Sequence, residues 1–143
     1  MKPGRHEGER GQALIEFALT IPVVFMVLFG IIDFGRALYA YDLVTNAARL
    51  GTRYAIVHGT SCTPSPCTAT SGDIQTYVQS MVTGIDASSV TVVATWPAAT
   101  GCAGGTATPL CPVLVKVTYS FKFLLSFSLT VPMTSKSQMI ISQ

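Results

Sequence analysis

The residues with the most chemical potential lie in Arg10-Gly11-Gln12-Ala13-Leu14-Ile15-Glu16-Phe17. A short charged leader ends in glycine, an apolar stretch follows at once, and its single acid lies five positions past the glycine. A carboxylate in an apolar membrane segment is costly and is a functional candidate by default. Cleavage of the Gly11–Gln12 peptide bond would place a new amine one helical turn from Glu16. That carboxylate could neutralise the amine of its own chain or, in a bundle, of a neighbour. It also suits the positive end of a helix dipole. The bland alternative puts Glu16 among headgroups near the end of a span, and the residues alone leave both open.

Other candidate groups are fewer. His6 and His58 have no carboxylate or nucleophile at a recognisable offset, and Asp73 and Asp86 look like helix-terminus residues. No Gly-rich phosphate loop, paired-carboxylate constellation or G-x-S-x-G occurs, and Gly104-Gly105 reads as loop chemistry. Enzymatic activity, a metal and a cofactor are therefore not expected. Cys62, Cys67, Cys102 and Cys111 permit three disulfide connectivities, of which Cys62–Cys67 with Cys102–Cys111 is preferred because each pair brackets a loop. Zinc is disfavoured, since four and eight intervening residues do not match the usual two to four in both halves.

These residues must be positioned by a chain of 143 residues that is 49% hydrophobic and only 11% charged. Average soluble domains carry roughly a quarter charged residues. Disorder is excluded by the apolar content. Nucleic-acid binding is not expected, because nine Lys/Arg are scattered and nearly matched by seven Asp/Glu. Residues 1–11 hold five charges, and from Phe17 to Ile32 there is none. Roughly twenty apolar residues cross a bilayer, and Ala13–Ile32 supplies that number. This predicts a single transmembrane helix, with Pro22 as a kink or a flexible point used in assembly. A buried core helix would show a polar face, and a cleaved secretory signal would have a shorter core and a small-residue cleavage site. Lys2, Arg5 and Arg10 precede the span and only Arg36 follows closely, so the N-terminus is expected in the cytoplasm. All four cysteines then fall on the oxidising side.

Beyond the span, Ala40, Leu43, Ala47, Leu50 and Tyr54 form a helical apolar stripe, with Asp42, Asn46, Arg49 and Arg53 opposite. The helix is expected to run from Gln12 to about Val57, its extension 33–57 being amphipathic. Asp33 and Arg36 are read as an interfacial ion pair, and Phe34, Tyr39 and Tyr41 as an aromatic belt. Residues 58–143 should form an extracytoplasmic head rich in Ser and Thr. It is predicted to contain a helix over Asp73–Ile85, begun by Ser71 or Asp73, and strands over Val90–Trp96 and Val113–Phe123. Weaker strands are placed at Ser126–Val131 and Gln138–Ser142, divided by Pro132, and a Gly-rich loop at Ala98–Pro112. The fold class is thus α+β: a long N-terminal helix and a small β-rich, disulfide-stapled head, an architecture like that of type IV pilins.

Glycine, four residues, glutamate and an aromatic at the mouth of an N-terminal apolar helix resemble the class III signal of type IV pilin-like proteins. Gly11–Phe17, Pro22, Phe29-Gly-Ile-Ile-Asp-Phe-Gly-Arg36 and Asn46-Ala-Ala-Arg49 with Gly51-Thr-Arg-Tyr-Ala55 together resemble the TadE-like family. These are minor pilins or pseudopilins of tight-adherence (Flp/Tad) pilus systems. The resemblance covers about residues 10–57. It implies cleavage between Gly11 and Gln12 by a prepilin peptidase, with Glu16 and Phe17 serving processing or assembly. It also implies partnership with pilin-like subunits and an inner-membrane platform, homo- or hetero-oligomeric through the helix. Leu50 departs from the family pattern, which more often has a polar residue there. An unprocessed single-pass anchor whose head binds an envelope partner or surface ligand is the alternative, and a small exported enzyme the third reading.

Overall fold

The computed structural model describes residues 7–124 and 129–142. One helix, α1 (Glu7–Val57), runs unbroken through Pro22. It is followed by α2 (Ser71–Met81) and three strands, β1 (Val90–Thr95), β2 (Pro112–Lys122) and β3 (Thr130–Ile140). The strands form one antiparallel sheet in the order β1-β2-β3. Its inner face packs on the second half of α1, and α2 lies against both α1 and β1. The α+β layout with a long apolar N-terminal helix is the expected one.

Alternation decides the sheet. On β2, Val113, Val115, Val117 and Phe121 point inward and are buried, while Lys116, Ser120 and Lys122 face solvent. Val90, Val92 and Ala94 of β1 continue the same inner face. The register sets Val92 against Val117 and Val117 against Ser135.

The sequence misplaces β3. Instead of two short strands divided by Pro132, one strand spans Thr130–Ile140, with Pro132 opposite Ser120. An edge strand accepts proline when the missing N–H would have faced away from the ladder. The part of the first predicted strand at 126–128 lies outside the described residues. The predicted helix over Asp73–Ile85 is also shorter and earlier. Thr70 is its N-cap in a reciprocal capping box with Asp73, and Val82 is already extended. Gly84 then turns the chain at φ +90° beside the Tyr39 hydroxyl, a conformation that favours glycine.

Two disulfides close the head's loops, Cys62–Cys67 and Cys102–Cys111. For loops of this size, chain-entropy reasoning gives roughly 2–3 kcal/mol each. That is a large contribution for a head whose core is one layer deep.

Candidate functional site

The helix that carries the candidate residues has two unlike halves. From Gly11 to Ile32, no residue is buried against the rest of the chain. The apolar window there reaches a mean hydropathy of 2.5, long and apolar enough to cross a membrane. Leu14, Phe17, Leu19, Val23 and Phe25 are all largely exposed, a cost in water that disappears in lipid or among other apolar helices. From Asp33 onward the same helix carries the head.

Gly11, Gln12, Glu16 and Phe17 lie together on this bare half, Gln12 and Glu16 four residues apart and hence on one face. Nothing else in the described chain reaches them: the Thr20 hydroxyl donates to the Glu16 main-chain carbonyl at 2.8 Å, a local helix contact. A Cβ built on Gly11 meets no atom within 4 Å. Glycine inside a helix costs about 1 kcal/mol relative to alanine, and no packing within the chain requires it here.

Gly51 is the opposite case. A Cβ at this position would lie 2.9 Å from Val78 Cγ2, 3.1 Å from Val115 Cγ1 and 3.5 Å from Ile74 Cγ2. All three neighbours are fully buried. The face of α1 that holds the head is Ala40, Val44, Ala47, Ala48, Gly51, Thr52 and Ala55. This corrects the predicted stripe: Leu50 is 38% exposed, and Leu43 and Tyr54 are only partly buried. Sheet and α2 approach the helix closely, so small side chains win the centre and larger ones flank it. Thr52 satisfies its buried hydroxyl by donating to the Ala48 carbonyl at 2.8 Å, with the Ser137 carbonyl of β3 at 3.3 Å.

The expected Asp33–Arg36 pair forms, and the same buried carboxylate also joins helix to head. One oxygen accepts from Arg36 Nη1 and the other from the Leu124 main-chain N–H, each at 2.8 Å. Arg36 also lies over the Phe121 ring, 5.4 Å from its centroid. Tyr39, assigned to the aromatic belt, donates to the Thr83 carbonyl at 3.0 Å and so also braces the head. His58 stacks on Tyr54 and lies 2.9 Å from the Tyr54 carbonyl through Nδ1, a helix-end contact. His6 lies outside the described residues.

Two exposed carboxylates are tuned by local bonds. The Thr70 hydroxyl, then its main-chain N–H, holds Asp73 below its ordinary value of 3.8. The hydroxyls of Ser88 and Ser89, then the Ser88 N–H, do the same for Asp86. Asp73 is the N3 partner in the capping box of α2, and Asp86 is the N-cap of the short 3-10 turn Ala87–Ser89.

Residues 11–53 match the family model described as TadE-like protein. This stretch of α1 is similar to TadE-like proteins. The matched segment starts at Gly11 and takes in both the bare half and the docking face as far as Thr52. The match covers 43 of the 143 residues, all of them on α1. No curated protein and no solved structure matches the chain. Asp33 and Gly51, which individual residue patterns undervalued, both sit inside motifs that carried the TadE-like resemblance.

Proposed function

We propose that the protein is a TadE-like minor pilin or pseudopilin, a structural subunit for assembly of a tight-adherence pilus or a related secretion apparatus. In this reading residues 1–11 are a cytoplasmic leader, 12–57 the assembly helix with its span at about 13–32, and 58–143 an extracytoplasmic head. A prepilin peptidase cleaves between Gly11 and Gln12 at the inner membrane. Glu16 then meets the new amine, its own or a neighbouring subunit's, while Phe17 and the apolar residues beyond it pack against lipid or other pilin-like helices. The observation that carries the reading is the coincidence of the TadE-like match with a helix that is bare up to Ile32 and head-bearing from Asp33. Gly11 adds support, since its lack of a side chain answers no close contact among the described residues and suits recognition in an extended form by a peptidase.

An unprocessed anchor is the second reading, favoured by the continuity of α1 from Glu7 across Gly11 without a break. Gly11→Ala and Glu16→Ala in cells assembling the pilus separate the two. The processed-subunit reading expects Gly11→Ala to leave the leader attached, and Glu16→Ala to be cleaved but poorly assembled. Normal piliation with both variants would refute it.

A further inference from the structure

The β2–β3 hairpin descends along α1 toward the bare half. Three contacts mark the path: Gly51 against Val115, Arg36 over Phe121, and Asp33 accepting from the Leu124 N–H. From Gly51 to Asp33 the helix drops about 27 Å at 1.5 Å per residue. From Val115 to Leu124 an extended strand covers about 30 Å at 3.3 Å per residue. The two elements run antiparallel at matched pace, and the hairpin arrives level with Asp33. That is the residue directly after Ile32, the last of the apolar stretch.

The described residues at the lower end of the hairpin are mostly apolar and open to solvent. Leu124 is 51%, Leu129 53% and Val131 39% exposed. The Phe123 N–H approaches the Leu129 carbonyl at 3.5 Å, which puts Leu129 at the same level. Phe123 packs edge-on against the buried Phe121, their centroids 5.1 Å apart. The sequence carries no charge from Phe123 to Ser135. Solvent-facing hairpin ends are ordinarily polar; this one is apolar at the level where the helix leaves its apolar stretch.

We propose that this hairpin end is a second membrane contact, with Leu124, Leu129 and Val131 seated in the interfacial layer of the bilayer that α1 spans. The proposal rests on reading residues 13–32 as a span. The layer between hydrocarbon and bulk water is roughly 5–7 Å deep on each side, enough to receive side chains level with Asp33. The Asp33 carboxylate suits that depth, because Arg36 and the Leu124 N–H already satisfy it and such charge-assisted bonds strengthen as water is excluded. Two contacts fix what one helix leaves free, the height of the head above the membrane and its rotation about the helix axis. A subunit drawn out of the bilayer must release both.

Single-tryptophan variants of the full chain in phosphatidylcholine vesicles test this. Trp96→Phe supplies the background, and it removes a buried indole N–H that has no hydrogen-bond partner among the described residues. Tryptophan is then placed at Leu129, at Phe25 in the span and at Thr91 on the solvent face of β1. Val131→Trp replaces Leu129→Trp if circular dichroism shows the latter misfolded. Lipids brominated high on the acyl chain are expected to quench position 129, lipids brominated deep to quench position 25, and neither to quench position 91. Quenching at 25 with position 129 as bright as 91 overturns the hairpin contact and leaves the span intact. Blue-shifted but unquenched emission at 129 overturns it too, placing the hairpin against protein such as a second copy. Loss of quenching at 25 as well removes the span, and the proposal with it.

Discussion

Gly51→Ala measures the closeness of the helix–sheet dock. The added methyl would meet Val78 Cγ2 at 2.9 Å and Val115 Cγ1 at 3.1 Å. Both belong to short β-branched side chains that are fully buried, so neither can swing aside. Overpacking of this kind costs about 1–3 kcal/mol. Replacing glycine by alanine in a helix returns about 1 kcal/mol, leaving a net loss of about 0–2 kcal/mol. Gly35→Ala is the control: it lies on the same helix, and its new Cβ meets nothing within 4 Å. The propensity gain is common to both variants, so their difference isolates the steric cost. Urea titration of the full chain in detergent, followed by fluorescence of Trp96, the single tryptophan, reports unfolding of the head. With a urea slope of about 1–3 kcal/mol per molar, the Gly51→Ala midpoint should fall below that of Gly35→Ala by about 1 M. Coincident midpoints would refute the close dock.

Asp33→Ala should lower the same midpoint by about 1.5–3 kcal/mol, the range for hydrogen bonds to a charged group, since it strands both Arg36 and the Leu124 N–H; an unchanged midpoint would show that the tie contributes nothing. Acid should weaken the head through its caps. Asp73 and Asp86 have folded values depressed below 3.8, so their contribution is complete above that pH and is lost as pH falls through the lower folded values. Asp73→Asn should reduce the midpoint at neutral pH and flatten this acid decline, and an acid profile identical to wild type would contradict the capping account.

Much of this fold is readable in the sequence because strong periodicity meets consistent burial. The alternation from Val113 to Phe121 belongs to a central strand with one buried face, and the uncharged run to Ile32 lies on a helix half that no other described element buries. The docking face was obscured because size, rather than hydrophobicity, decides it. Leu43, Leu50 and Tyr54 look like a core stripe, yet the close approach of Val78 and Val115 selects Ala47, Ala48 and Gly51. Asp33 looked like half of a local ion pair because its second partner, Leu124, is 91 residues away. Pro132 signals a break in any strand except an edge, and edge status is a property of the assembled sheet. For the candidate site the position is reversed. Gly11, Gln12, Glu16 and Phe17 stand out by type and spacing alone, while no other described element of the fold covers them.

The most direct test of the central claim is the N-terminus of the mature protein. Full-length protein expressed in cells with a functional tight-adherence system, recovered from the membrane fraction, should begin at Gln12 by N-terminal sequencing. A mature chain that still carries Arg10 and Gly11 would contradict the processed-subunit account and leave the uncleaved anchor in its place.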